Sequence, residues 1–237
     1  MMRRAALLAV LVWGASQTVG SAQEIDALNE QLWLDYNPRW APAKHWLIFG
    51  DVGYRTQLDY PNTKFFVFRP GVQRILSRRV WIGGGIGSFY TVNQSIADRW
   101  EMRPWQGLDV RWQELPVPVE AYLRLEERFE FNTETWDVAA SLRARLRIRA
   151  YHQWEDWFSL NRYWRLFLGI EGFARLVGDA AQFEHQARLT LGLDRSFKYS
   201  LRVRGEITWQ KSTFFFFGDT SVNALYFRVR LYQRFGR

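Results

Sequence analysis

Arginines recur at every second position in one stretch of the chain. Arg143, Arg145, Arg147 and Arg149 lie among apolar residues that alternate from Trp136 to Ala150. The guanidinium group stays charged at all physiological pH values and forms planar, bidentate pairs with carboxylates. A row of such groups on one surface could pair with carboxylates in a confined space and attract small anionic solutes.

Three histidines, His45, His152 and His185, are the other side chains that could do chemistry. Outer-membrane hydrolases use a histidine with serine, asparagine or acidic partners, but none of these three stands at a recognisable spacing from a serine. Positions in turns or at an interface are therefore the favoured interpretation. The chain has no cysteine, which excludes a cysteine nucleophile and thiolate metal sites. No enzymatic activity, cofactor or metal is expected.

A strict period of two predicts a β-strand with one apolar and one charged face. The stretch with the four arginines covers about fifteen residues, whereas an average strand has about 5–6 and a bilayer-crossing strand about 9–11. Similar alternation occurs at 99–112, 120–131, 199–210 and 225–235. Eleven segments of this kind can be counted, with turn signals between them. Outer-membrane barrels normally have an even number of strands and both chain ends on one side, which favours twelve strands, with ten as the alternative.

Two observations favour apolar side chains outward and arginines inward. Trp100 and Trp112 share the apolar face and are separated by about 30 Å of depth at a rise of about 3.3 Å per residue and a tilt of about 40°. Tyr199 and Trp209 are separated by about 25 Å on the same arithmetic, so both pairs match aromatic girdles. The charged faces also carry both signs, which suits ion pairs across a narrow interior. The alternative is a soluble barrel with the apolar face inside.

The predicted interior residues belong to the charged faces of these strands. They are Arg103, Arg124, Glu126, Arg143, Arg145, Arg147, Glu171, Arg202, Arg204, Glu206, Arg228 and Arg230.

The first residues have the pattern of a secretory signal peptide. Arg3 and Arg4 precede an apolar run, and small residues follow at the usual cleavage spacing. This predicts a signal peptide at 1–22 and a mature domain at 23–237. The formal net charge is +8, yet no nucleic-acid-binding signature accompanies it, so nucleic acid is not an expected partner.

Three blocks resemble a known family: Arg103 to Leu108, Leu123 to Phe129 and Leu142 to Arg147. They are similar to the uncharacterised outer-membrane barrel family called domain of unknown function 2490. The resemblance covers nearly the whole mature chain and implies a Gram-negative outer-membrane barrel without an assigned activity. One departure is the C-terminus, where Phe235 is followed by Gly236 and Arg237, whereas such proteins commonly end on an aromatic residue.

Together these observations predict an all-β protein: a single antiparallel, up-and-down transmembrane β-barrel in the outer membrane. Its function would be structural, or that of a narrow channel for small anionic solutes. The expected partners are membrane lipid, lipopolysaccharide and the barrel insertion machinery. Two alternatives are a lipid-modifying hydrolase with a histidine at the rim and a soluble periplasmic barrel that binds an apolar ligand.

Overall fold

The structure is a computed structural model that describes residues 28–59, 63–93, 97–155, 163–178, 185–198, 200–214 and 220–236. These residues form thirteen strands and no helix. The strands are β1 (Asn29–Ala43), β2 (Trp46–Phe49), β3 (Val52–Gln57), β4 (Thr63–Phe68), β5 (Gly71–Ile75), β6 (Val80–Asn93), β7 (Arg99–Trp112), β8 (Val119–Asn132), β9 (Val138–Glu155), β10 (Tyr163–Gly178), β11 (His185–Lys198), β12 (Leu201–Phe214) and β13 (Thr220–Phe235).

The sheet closes on itself, because β13 pairs with β1. Eleven strands form the closed wall: β1, β3, β4 and β6 to β13. The pair β1–β13 is parallel and every other pair is antiparallel. The predicted all-β barrel is thus confirmed, with eleven strands in the wall rather than twelve. Since direction alternates from strand to strand, an odd number must close with a parallel pair.

The two additional strands, β2 and β5, prolong β3 and β4 within the wall. Asp51 and Arg69 lie at the two breaks and exchange backbone hydrogen bonds of 3.2 and 2.9 Å. Pro70 follows Arg69 and has no N–H to donate. β2 and β3 therefore share one position around the barrel, and β4 and β5 share the next. For this reason the alternating pattern gives eleven segments, one for each position.

The chain enters and leaves the wall at opposite ends. We call the end where β1 begins at Asn29 the N-end, and the end where β13 finishes at Phe235 the C-end. A row of paired residues that starts at Trp40, near the C-end of β1, passes around the wall and arrives at Ser221, near the N-end of β13. This displacement shows that the strands are strongly tilted, as closed barrels require.

The two faces of the wall differ sharply in chemistry. Apolar side chains on the outer face are exposed, among them Leu146 at 49% and Ile207 at 51%. Charged side chains on the inner face are buried, among them Glu126 at 0% and Arg204 at 6%. The period of two thus separates an apolar exterior from a charged interior.

The strand with four consecutive inward arginines differs at its start from the prediction. Trp136 was expected in the strand, but β9 begins at Val138, and Trp136 lies in the preceding turn with a positive φ of 61°. Its backbone N–H donates to the carbonyl of Asn132 at 2.8 Å. The alternation therefore begins at Val138, two residues later than the sequence pattern indicates.

Within the described ranges, no helix is both long and apolar enough to cross a bilayer.

Candidate functional site

The candidate site is a cavity of about 720 Å³ inside the barrel. Its lining includes Arg99 and Gln186 near the N-end and Arg111 and Arg234 near the C-end, so it runs along most of the barrel. Among the residues that line it, arginines outnumber aspartates and glutamates by more than three to one. The interior is therefore polar and carries an excess of positive charge.

The structure places all nine predicted interior arginines against this cavity: Arg103, Arg124, Arg143, Arg145, Arg147, Arg202, Arg204, Arg228 and Arg230. The three predicted acidic residues, Glu126, Glu171 and Glu206, lie behind the arginines and pair with them. Which of these side chains would meet a solute remains a prediction.

Glu126 is at the centre of the first ion-pair cluster. Its carboxylate accepts hydrogen bonds from Arg124 Nη2, from Arg143 Nη2 and, at 2.8 Å, from Arg143 Nε. Arg145 Nη1 lies 3.9 Å from the same carboxylate. The strand register explains this cluster, because Glu126 on β8 pairs directly with Arg143 on β9. One fully buried negative charge thus forms ion pairs with three arginines.

A second cluster joins β11, β12 and β13. Arg204 Nη2 donates to Asp194 Oδ2 at 2.8 Å, and Arg204 Nη1 lies 3.3 Å from Glu206. Glu206 also lies 3.6 Å from Arg230. Such a network compensates the cost of removing charges from water, which isolated ions in the interior would not recover.

The parallel seam between β1 and β13 has its own interior contacts. Asp35 accepts a hydrogen bond from Arg228 Nε and lies 3.6 Å from Arg230. One residue pair away, the ring of Trp33 stacks on Tyr226 with 4.4 Å between centroids. These contacts join residues almost two hundred positions apart in the sequence, so the interior side chains help to close the barrel.

Arg39, Arg55 and Arg149 are among the interior arginines that form no ion pair with any described carboxylate within 4.0 Å. Each instead lies over an aromatic ring: Arg39 over Tyr232 at 5.0 Å, Arg55 over Trp33 at 3.9 Å and Arg149 over Phe167 at 5.0 Å. Contacts of this kind stabilise a cation without neutralising it. Such residues contribute to the positive excess of the interior.

The interior residues predicted from the sequence did not include Arg39, Arg55 or Arg149. Arg149 continues the alternation of Arg143 to Arg147 and could have been found by extending the row to the end of β9. Arg39 and Arg55 lie in β1 and β3, whose inner faces carry aromatic and amide side chains between the charges. There the charge alternation is too weak to separate the faces.

The histidines are not brought together among the described residues. His45 lies in the turn between β1 and β2 and is exposed. His152 is exposed on the outer face, where it stacks on Trp154 at 5.9 Å. His185 belongs to β11, and its side chain lies outside the described part. No group of three or more histidines, aspartates or glutamates in the described ranges is arranged to hold a metal ion.

Two elements of the sequence prediction lie outside the described residues. They are the signal peptide at 1–22 and Tyr199, one member of a proposed girdle pair.

Comparison with known proteins adds a family. No curated protein and no solved structure matches the chain. The sequence profile of the family described as "Protein of unknown function (DUF2490)" matches residues 30–222, which covers most of the described barrel. The resemblance drawn from three sequence blocks is thereby confirmed: the chain belongs to the DUF2490 family.

Proposed function

We propose that this protein spans the outer membrane of a Gram-negative bacterium and provides a narrow passage that favours small anions. The proposal has two parts, the position of the wall in a bilayer and the use of the interior. Each part is supported by a different face of the same strands.

The outer face supports the bilayer position. Aliphatic side chains cover the middle of the strands, among them Leu123, Leu146, Leu189 and Val229, which are all exposed. Exposed apolar patches on this scale on a monomer indicate a partner surface or a membrane. A band that runs all around a closed wall matches the hydrocarbon core of a bilayer.

Several aromatic side chains on the outer face lie near the strand ends. Trp40, Trp46, Trp154, Phe197 and Phe235 are exposed toward the C-end of the wall. At the N-end, the rings of Trp100 and Phe131 stack at 5.1 Å, close to Tyr90 on the neighbouring strand. Aromatic residues at both edges of an apolar band are typical of membrane barrels, where they lie at headgroup level. 

The inner face supports the passage. The cavity reaches toward both ends, and its lining carries a clear excess of arginine over acidic side chains. Rings of arginine favour anions in pores, because the field of the fixed cations lowers the energy of an entering anion and raises that of a cation. The observation that carries the proposal is therefore this arginine-lined cavity, enclosed by a wall with an apolar exterior.

Ion selectivity in planar bilayers tests the proposal. In a gradient of potassium chloride, the purified barrel is expected to conduct with a reversal potential that indicates preference for chloride. The double variant Arg39→Gln with Arg149→Gln removes two interior charges that no carboxylate neutralises. We expect its anion-to-cation permeability ratio to fall at least twofold, while the conducting unit remains folded.

The matched control is Arg74→Gln. Arg74 is exposed on the outer face, where it lies over Trp46 at 5.4 Å, so this change removes the same charge outside the passage. Its selectivity should equal that of the wild type. Absence of conductance, or equal selectivity in all three proteins, would contradict the passage.

A further inference from the structure

Three arginines converge on one buried indole ring in the interior. Trp33 on β1 pairs with Arg55 on β3 and with Arg228 on β13. The guanidinium carbons of Arg55 and Arg228 lie 3.9 and 5.0 Å from its centroid, and that of Arg188 lies 5.9 Å away. The strand register of the seam thus brings cations from both neighbours of β1 to the same place.

The ring that gathers these cations is held in position. Trp33 is only 6% exposed and stacks on Tyr226 at an interplanar angle of 23°. Its Nε1 donates a hydrogen bond of 2.8 Å to Gln31 Oε1. A fixed platform of this kind keeps the guanidinium groups in place before a ligand arrives, which lowers the entropy cost of binding.

The three arginines are unequally neutralised. Arg228 pairs with Asp35, and Arg188 Nη1 lies 3.3 Å from Glu171. Arg55 has no carboxylate partner within 4.0 Å among the described residues. The cluster therefore keeps positive charge beside the cavity that all three arginines line.

Two donors of the cluster are also unused. Arg55 Nε and Arg228 Nη2 are buried and have no hydrogen-bond partner among the residues that the structure describes. Buried N–H groups are almost always satisfied, because leaving one unpaired costs free energy. Both guanidinium groups lie beside the ring of Trp33, so an acceptor bound there would have these two donors within its surroundings.

We propose that Arg55, Arg228 and Trp33 form a binding site for a small oxyanion, a carboxylate or a phosphate group. Such a group offers several acceptor oxygens, so it can accept from two guanidinium groups at once. Arg188, whose guanidinium carbon lies 5.9 Å from the centroid of the same ring, adds further positive charge. This proposal rests on the proposed function, since it identifies the class of anion that would bind inside the passage.

Calorimetric titration of the detergent-solubilised full-length protein tests the site, with inorganic phosphate and acetate as separate probes. Saturable binding of at least one probe is expected, and the two titrations distinguish phosphate from carboxylate as its natural class. Arg55→Gln should weaken binding at least tenfold. Absence of saturable binding by either probe, or an unchanged affinity in Arg55→Gln, overturns the site.

Arg149→Gln is the matched control. It removes another interior arginine that lacks a carboxylate partner, but β9 lies on the opposite side of the barrel from β3. Its affinity for the probe should stay within twofold of the wild type, and an equal loss in both variants would show that only the general interior charge matters. If Arg55→Gln does not fold, Arg55→Lys keeps the charge without the planar fork. A threefold or greater weakening is then expected, and unchanged binding overturns the site.

Chloride conductance separates this inference from the proposed function. If the wild type conducts chloride selectively but phosphate and acetate neither bind nor reduce the current, the oxyanion site is wrong and the passage stands. If binding is saturable and depends on Arg55 while no current is observed, the passage is wrong and the site is that of a closed binding barrel.

Discussion

At the scale of single residues, neighbouring glutamates in β8 have opposite environments. Glu126 is fully buried and pairs with arginines of two strands, whereas Glu127 is exposed on the outer face. Glu126→Gln should lower the free energy of unfolding by about 3–5 kcal/mol, because removing one partner leaves buried charges uncompensated. Urea unfolding of the barrel in lipid vesicles, followed by tryptophan fluorescence, measures the change.

Glu127→Gln is the control for that comparison. The same change of charge one residue away breaks no ion pair with a described residue. It should not lower stability, and in a bilayer it removes a charge from the apolar face, which is favourable. Equal losses in the two variants would show that the Glu126 cluster contributes nothing specific.

Sequence patterns predict the face of a side chain well and its partners poorly. The period of two gives the inward position of Arg143 and Glu126, because alternation along a strand is geometric. It does not show that both meet across β8 and β9, since pairing depends on the register of two strands. It also does not show that Arg55 lies within 4.0 Å of no described carboxylate, which depends on the arrangement of three strands around Trp33.

At the scale of elements, the pair β10–β11 depends on a glycine beneath an aromatic ring. Phe167 lies over Gly192, and a Cβ at Gly192 would overlap the ring. Gly192→Ala should cost about 1–3 kcal/mol, because the ring must leave its packed position. The denaturation midpoint in urea measures the loss.

Gly205→Ala, in the adjacent strand β12, is the corresponding control. A Cβ there meets no atom within 4 Å. The substitution should be neutral or stabilise by about 0.4–1 kcal/mol, because alanine restricts the unfolded chain. A larger loss at Gly205 than at Gly192 would contradict the packing that the structure shows.

The number of strands illustrates what element patterns can and cannot predict. The alternating segments are eleven, and the wall has eleven positions, with β2 and β5 as continuations of β3 and β4. The expectation of twelve came from the even number usual in outer-membrane barrels and not from the residues. The parallel contact of β1 with β13 could not be predicted from either strand alone, because the alternation along one strand does not show the direction of its neighbour.

At the scale of the whole molecule, the sequence has no cysteine, so single introduced cysteines report on their own positions. Val72 is 40% exposed on the outer face, and the next residue, Gln73, lines the cavity. In reconstituted vesicles, Gln73→Cys should react with a small water-soluble anionic thiol reagent. A fluorophore on Val72→Cys should be quenched by bromolipids. The reverse pattern would show that the apolar face is not in contact with lipid.

Because β1 and β13 are parallel, the first residue of β1 and the last residue of β13 lie at opposite ends of the wall. Asn29 begins β1 at the N-end, and Phe235 finishes β13 at the C-end. A circular permutant that joins these positions would need a linker as long as the wall is high. At a rise of about 3.3 Å per residue and a tilt of about 40°, the fifteen residues of β1 span about 38 Å. Only linkers of at least about 12 extended residues can bridge that span, either along the apolar outer face or through the cavity that the arginines line.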